Sequence, residues 1–142
     1  MSGLRVLETS LYVDDLDAAE RFYHGVLGLD VCGRHPGRHV FFRCGEGVLL
    51  VFVPETTAGA TTSVDGTAIP LHGADGPGHV AFAVPEVELA AWKGRLIERG
   101  VAIEAEVRWP RGGRSVYFRD PAGNSLELAS PTIWGLPENH GV

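Results

Sequence analysis

The 142-residue chain is poor in cysteine and in long apolar runs. Its two cysteines, Cys32 and Cys44, are too few for the disulfide scaffold of a small secreted protein, and free thiols are the expectation. No apolar stretch approaches the roughly 18–20 residues of a membrane-spanning helix. The N-terminal sequence MSGLRVLETS lacks the apolar centre of an export signal. We therefore predict a cytoplasmic protein with no membrane partner.

Positive charge is also scarce. The chain has 12 Lys and Arg residues against 18 Asp and Glu residues, a formal net charge of −6. Surfaces that bind nucleic acids are usually basic, so this balance argues against a nucleic-acid partner. Hydrophobic residues make up 44% of the chain and charged residues 21%, which is typical of a globular protein.

The chain contains an internal repeat. Both Leu11–Val31 and Ala81–Ile103 begin with a short apolar strand, pass through acidic residues and continue with apolar residues at helical spacing. Downstream, His39–Pro54 resembles Ser115–Pro131, since each has an aromatic strand, a turn (CGEG or DPAG) and an apolar strand that ends at proline. The repeat unit is therefore one strand, one helix and about three strands.

The segment between the two repeats, residues 54–78, is rich in Gly, Thr, Ala and Pro and has no lasting periodicity. A stretch of this length without regular structure is usually a linker or a functional loop. Both a solvated linker and a lid over a site are open alternatives.

The repeat brings polar residues to equivalent positions. An alignment of the valines that end the first strands places Glu8 on His79, and an alignment of the prolines after the last strands places Leu50 on Glu127. Three of these four equivalent positions therefore hold residues that can ligate a metal.

Side chains two residues apart on a strand share a face. The neighbours on the shared faces are mostly small or polar: Ser125 and Ala129 beside Glu127, Ser10 and Tyr12 beside Glu8, and Ala81 and Ala83 beside His79. A buried carboxylate is costly unless it is paired or binds a metal. Arg43 or Arg119 could pair with Glu127, and His79 could be a structural histidine. Two carboxylates and an imidazole converging on one point would suit a divalent cation.

Other polar and aromatic residues have open roles. The turn sequence WPRGGR could bind an anionic group through Arg108, Arg111 and Arg114, or it could simply be solvated. Trp109 and Trp134 could form an aromatic wall or cover the end of a core. The remaining histidines are expected to be solvated, with His72 also a candidate for a lid contact: His24, His35, His39, His72 and His140.

Three stretches, LYVDDLDAAERFYHGVLGL, GPGHVAFAV and GGRSVYFRDPAGNSLEL, resemble the vicinal oxygen chelate superfamily. That superfamily includes glyoxalases, bleomycin-resistance proteins, fosfomycin-resistance enzymes, methylmalonyl-CoA epimerases and extradiol dioxygenases. The resemblance implies a single domain with a glyoxalase-like α+β fold of two tandem βαβββ modules, whose curled mixed sheets surround a central cavity. Module one would span about 4–54, a loop 55–78, module two about 79–131, and a C-terminal tail 132–142.

The resemblance also implies metal ligands at Glu8, His79 and Glu127. Glyoxalases place a further carboxylate where this chain has Leu50, so a four-ligand glyoxalase I site is not expected. Members with three ligands usually have His at the first position. With Glu8 there, the donor set favours one Mn, Zn, Ni, Co or Mg ion over Fe. Glu8 could instead be a general base.

The predicted function is that of a metal-dependent lyase, isomerase or transferase that binds a small substrate through adjacent oxygens, with the metal as Lewis acid. Glu8 and Tyr117 are the catalytic candidates. The substrate-binding candidates are Ser10, Tyr12, Ser115, Tyr117, Arg108 and Trp109. In the fosfomycin-resistance members, Ser and Tyr at the positions matching Ser115 and Tyr117 line the pocket. Family members are commonly homodimers, with sites within one chain or across two.

Two alternative functions stay open. A bleomycin-resistance-type protein would sequester a ligand without chemistry, and the absence of a ligand at Leu50 fits it. The retention of His79 and Glu127 on the repeat argues against a pure binder. An extradiol ring-cleaving dioxygenase is the further alternative.

Overall fold

The computed structural model describes residues 3–59 and 62–138. These residues belong to two compact units, 1–78 and 79–142. Within the described ranges, no helix is long and apolar enough to cross a membrane. That one domain comprises both units stays a prediction.

The described residues of the first unit form six strands and two helices. They are β1 (Glu8–Tyr12), α1 (Leu16–Tyr23), β2 (Asp30–His35), β3 (His39–Cys44), β4 (Gly47–Phe52), α2 (Pro54–Ala58), β5 (Thr62–Val64) and β6 (Thr67–Ile69). Helix α1 begins where the Asp15 carboxylate accepts the Ala18 N–H at 3.0 Å.

Residues 79–138 of the second unit form four strands, one α-helix and two 3-10 helices. They are β7 (His79–Ala83), a 3-10 helix (Glu86–Glu88), α3 (Leu89–Glu98), β8 (Ala105–Arg108), β9 (Arg114–Arg119), β10 (Ser125–Ala129) and a second 3-10 helix (Pro131–Trp134). Part of the predicted tail is therefore helical. Residues 139–142, and with them His140, lie outside the described ranges.

The two four-stranded sheets have the same topology. Their orders are β1-β4-β3-β2 and β7-β10-β9-β8, and in each sheet the first two strands are parallel while the others pair antiparallel. Glu8 pairs with Val48 in one sheet and His79 with Ser125 in the other, which is the equivalence that the repeat predicts. The predicted α+β architecture of two βαβββ units is confirmed.

One face of each sheet forms a core. Alternate residues of the central strands are almost fully buried: Phe42, Leu49 and Val51 in the first unit, and Phe118, Leu126 and Leu128 in the second. The helices bury apolar residues too, such as Tyr23 of α1 and Leu96 of α3. The residues between them on the central strands therefore lie on the opposite face of each sheet.

The segment predicted as a loop over 55–78 has regular structure of its own. Helix α2 begins at Pro54, and strands β5 and β6 form a hairpin. Its turn is Asp65–Gly66, with positive φ angles of 50° and 79°. The Asp-Gly dipeptide is a hairpin signal, but the flanking strands of three residues are too short to show a periodicity.

Candidate metal centre

A pocket of about 610 Å³ lies in the second unit. The polar residues on its floor are His79, Tyr117 and Glu127, which strands β7, β9 and β10 carry. Trp109 and the apolar residues Ile133, Trp134 and Leu136 also line it.

Strand alternation explains how a glutamate comes to face this pocket. Leu126 and Leu128 point into the core, so Glu127 between them points to the other face of β10. Glu127 lies beside Ala81 on β7 and beside Tyr117 on β9. Only 5% of the residue is exposed, so its charge needs partners within the protein.

The imidazole of His79 faces this carboxylate. Its Nδ1 lies 3.0 Å from the Ser125 carbonyl oxygen, and its Nε2 lies 3.3 Å from Glu127 Oε1. A carbonyl oxygen only accepts, so Nδ1 carries a proton. In the neutral ring Nε2 is then an acceptor that points at a carboxylate oxygen. Two acceptors at this distance require a proton or a metal cation between them, and the donor set therefore fits a cation.

The second oxygen of Glu127 is held by a hydroxyl. Ser115 Oγ donates to Glu127 Oε2 at 2.5 Å, and it accepts the Trp109 indole N–H at 2.9 Å. Arg119, one of the alternative partners of Glu127, instead binds Glu104. The carboxylate thus interacts with Ser115, His79 and Tyr117, while Arg119 is engaged elsewhere.

Tyr117 completes the polar floor. Its ring stacks on that of His79, with 6.3 Å between the centroids. Burial raises the pKa of Tyr117, as do the charge of Glu127 and a hydrogen bond with it, while a hydrogen bond with Ser115 acts in the opposite direction. The phenol therefore keeps its proton at neutral pH and can donate it.

Three further predicted site residues, Glu8, Ser10 and Tyr12, lie on strand β1 of the first unit. Glu8 and Ser10 are exposed and Tyr12 is half-buried. The Tyr12 hydroxyl is hydrogen-bonded to His72 Nδ1 at 2.5 Å, and burial raises the pKa of Tyr12. His72 is thus a contact of strand β1 and not a solvated residue.

No group of three or more His, Cys, Asp and Glu side chains within the described ranges of one chain could hold a metal. His79 and Glu127 are brought together as a pair. The role of Glu8 as a third ligand or as a base stays a prediction.

The hairpin between β8 and β9 carries two predicted site residues, Trp109 and Arg108, whose positions relative to the pocket differ. Trp109 lines the pocket and is half-buried, and Trp134 lines it too, which favours the aromatic wall. Arg108 is exposed, pairs across the hairpin with Arg114 and is not among the described lining residues.

The expectation that His39 is solvated is wrong. Its ring is half-buried and stacks on Phe41, with 3.9 Å between the centroids. Its Nδ1 accepts from Arg38 Nη1 at 2.7 Å. Burial, and then the charges of Arg38 and His35, lower the pKa of His39 to about 4. The alternation of His39 with buried Val40 along β3 was the available signal.

Sequence reasoning also missed Ser130. This residue is fully buried at the pocket, and its Oγ accepts the Arg114 N–H at 2.9 Å. The interaction joins the end of β10 to the start of β9. Nothing in its local sequence, a serine before a proline, distinguishes it from a turn residue.

Comparison with known proteins gives a family match over most of the chain. Residues 5–128 match the family described as the glyoxalase/bleomycin resistance protein/dioxygenase superfamily. The crystal structure of lactoylglutathione lyase from Agrobacterium tumefaciens is 42% identical, with a TM-score of 0.87, and the match covers 96% of this chain and 100% of that one.

A fosfomycin resistance protein and a metallothiol transferase also match, one with lower identity and the other over a shorter stretch. The fosfomycin resistance protein FosX from Mesorhizobium loti is 20% identical, covers 94% of this chain and 97% of that one, and has a TM-score of 0.61, which shows the fold alone. The metallothiol transferase FosB from Shouchella clausii (strain KSM-K16) is 39% identical over 57 residues. That match spans 39% of this chain and only 39% of the length of the relative.

Proposed function

Because the chain belongs to the glyoxalase/bleomycin resistance protein/dioxygenase superfamily, we propose that it is a divalent-metal-dependent enzyme that binds a small substrate through two adjacent oxygens. A lactoylglutathione lyase and a metallothiol transferase among its relatives support a lyase or transferase reaction. The observation that supports the proposal is the facing pair of His79 Nε2 and Glu127 Oε1, which requires a proton or a metal cation between its atoms.

These two atoms would be metal ligands, and Glu8 would supply a third ligand or a base. Two carboxylates and one imidazole favour Mn, Zn, Ni, Co or Mg, with Fe less suited. The cation would supply Lewis-acid chemistry to the substrate oxygens. Leu50 cannot ligate, so the proposal excludes a four-ligand glyoxalase I site.

The other pocket residues would bind and orient the substrate. Tyr117 holds a phenolic proton next to the carboxylate and would donate it to a substrate oxygen as negative charge develops there. Trp109 would form an apolar wall that excludes water. Ser10 and Tyr12 of the first unit, and Arg108 of the hairpin, would make further substrate contacts.

Metal content is the direct test of this proposal. We expect near-stoichiometric divalent metal in protein purified without chelators, measured by elemental mass spectrometry, and its loss in His79→Ala and Glu127→Gln. His24→Ala is the matched control, because His24 Nδ1 also bonds a carbonyl oxygen, that of Leu29 at 2.8 Å. Metal retained in His79→Ala and Glu127→Gln, or lost in the control, contradicts the proposed site.

A ligand-sequestering protein is the second candidate. It is favoured by the apolar rim of the pocket, where Trp134 is 80% exposed and Leu136 is 54% exposed. Bleomycin is a suitable probe. Tight binding that Trp134→Ala weakens, together with no bound metal, would favour sequestration over catalysis.

We also infer a homodimer, as is common in the superfamily, and a cytoplasmic location. Light scattering should then give about twice the 15.2 kDa mass of the chain. A mass equal to that of one chain would contradict the dimer.

A further inference from the structure

We propose that Trp109 is a positioning residue that fixes the ligand oxygen of Glu127 by acting through Ser115. The proposal rests on the metal-binding role proposed for Glu127. It assigns Trp109 a function beyond that of an apolar wall, because its indole N–H is 2.9 Å from Ser115 Oγ.

The first step follows from the chemistry of the donors. An indole N–H can only donate, so Ser115 Oγ must accept from Trp109. The single hydroxyl proton of Ser115 is then directed to Glu127 Oε2, 2.5 Å away. Ser115 is 1% exposed, so water does not compete for this proton.

The second step concerns the carboxylate. With Oε2 bound to Ser115, the other oxygen of Glu127 is turned towards His79 Nε2 at 3.3 Å. Without the serine contact, the hydrogen bond with Tyr117 would be left to hold the carboxylate, whose last torsion has broad minima. Trp109 therefore contributes to selecting which oxygen faces the pocket and where it lies.

The third step explains how Trp109 itself is held. The backbone N–H of Trp109 donates to the Gly113 carbonyl at 3.0 Å, and the backbone carbonyl of Trp109 accepts from the Gly112 N–H at 3.0 Å. Gly113 is packed so closely that a Cβ there would lie 2.6 Å from Ile133 Cγ2 and 2.8 Å from Ser130 Oγ. The 3-10 helix after β10 thus supports the turn that carries Trp109.

The chain offers a matched control in Trp134. This tryptophan lines the same pocket but is 80% exposed. Trp109→Phe removes the indole N–H and keeps an aromatic ring, and Trp134→Phe makes the same change at the control position. Ser115→Ala removes the group through which Trp109 is proposed to act.

The first experiment does not depend on metal. The chain has three tryptophans, whose indole N–H signals can be assigned in ¹⁵N spectra with Trp→Phe variants. We expect slow hydrogen exchange at Trp109 and fast exchange at Trp134. In Ser115→Ala the Trp109 signal should shift and exchange at least about 10-fold faster, because its acceptor is gone. A Trp109 signal that exchanges as fast as that of Trp134, or does not respond to Ser115→Ala, overturns the proposal.

The second experiment measures the dissociation constant for Mn²⁺ by calorimetry. We expect Ser115→Ala to weaken binding about 10–100-fold, as is usual for a group that orients a ligand. Trp109→Phe should weaken it about 3–10-fold, the value of one hydrogen bond between neutral groups. Trp109→Phe should add less than about twofold when Ser115 is already Ala, since the two act as one unit.

The outcomes separate the two proposals. A Trp109→Phe effect that persists in full when Ser115 is Ala overturns the positioning role, as does an equal effect of Trp134→Phe. A wild-type protein that binds neither Mn²⁺ nor Zn²⁺ overturns the proposed metal function instead. The spectra still decide whether Trp109 and Ser115 are linked in that case.

Discussion

Where the second sheet has Glu127 opposite Tyr117, the first sheet has Leu50 opposite Phe41. One step along the same face, Ser115 opposite Ala129 corresponds to His39 opposite Phe52. In the second unit these positions form a polar floor around Glu127. In the first unit they form an aromatic cluster, in which His39 stacks on Phe41 and Phe52 packs edge-on against both rings.

The comparison teaches that one backbone supports either type of surface. Strand order, pairing and core residues are shared by the two sheets, so they do not specify a site. A buried carboxylate is tolerated only with partners, and only the second unit has Ser115 and His79 to provide them. A site thus needs a coordinated set of substitutions rather than one.

The largest expected effect comes from replacing Glu127 of the second sheet with the leucine of the first. Glu127→Leu gives the second sheet the residue of the first, and we expect divalent-metal affinity to fall more than about 100-fold, beyond what loss of an orienting group costs. Titration with Mn²⁺ measures it. Glu106→Gln, a change on the exposed strand β8, is the control and should bind as the wild type does. Unchanged affinity in Glu127→Leu would remove Glu127 from the site.

Equivalent substitutions in the two cores should lower stability by similar amounts. Phe42 and Phe118 occupy equivalent positions and are each 0% exposed. We expect Phe42→Ala and Phe118→Ala each to lower the free energy of unfolding by about 3–5 kcal/mol, through lost burial and a cavity. Urea denaturation measures both. If either variant lost less than about 1 kcal/mol, the two cores would not be equivalent.

Alanine substitution should lower stability by different amounts at two equivalent glycines. Gly37 and Gly113 lie two residues before His39 and Ser115, with φ angles of 78° and 86°. Alanine at either position meets the left-handed penalty of about 1–2 kcal/mol. At Gly113 the Cβ also meets Ile133 at 2.6 Å, whereas nothing lies within 4 Å at Gly37. We expect Gly113→Ala to cost about 1–3 kcal/mol more in thermal or urea unfolding. Equal losses would show that the turn at Gly113 relaxes freely.

The aromatic cluster should confer a small pH dependence. Burial, Arg38 and His35 lower the pKa of His39 to about 4 from 6.5, so between these pH values the unfolded chain binds the proton and the folded chain does not. The contribution of His39 is therefore complete above pH 6.5 and is lost as the pH falls towards 4. Because His39 is partly exposed, solvent screening limits the change to about 1 kcal/mol.

His39→Ser, which gives the first sheet the residue of the second, tests this. Urea unfolding at pH 7 and pH 4.5 should show a smaller stability difference in the variant than in the wild type. The same difference in both proteins would exclude His39 as its source.

The repeat itself was predictable because its signals are local. Apolar alternation, the helical spacing after each first strand and the prolines after each last strand predicted the elements and their equivalence. The hairpin β5–β6 was missed, although Asp65–Gly66 signals its turn, because its strands are too short to be periodic. The burial of His39 was missed because it depends on Phe41 and Phe52, whose positions the sheet register sets.

The sequence by itself determined which side chains face the core and which face away, because alternation along a strand is a property of the local backbone. It thereby placed Glu127 and His79 on the faces of the second sheet that point away from the core. Only the tertiary structure decided that they meet, because β7 and β10 pair in parallel with His79 opposite Ser125, two residues before Glu127. It also decided the contact of Trp109 with Ser115, since the turn at Gly113 packs against Ser130 and Ile133 and the indole N–H lies 2.9 Å from Ser115 Oγ.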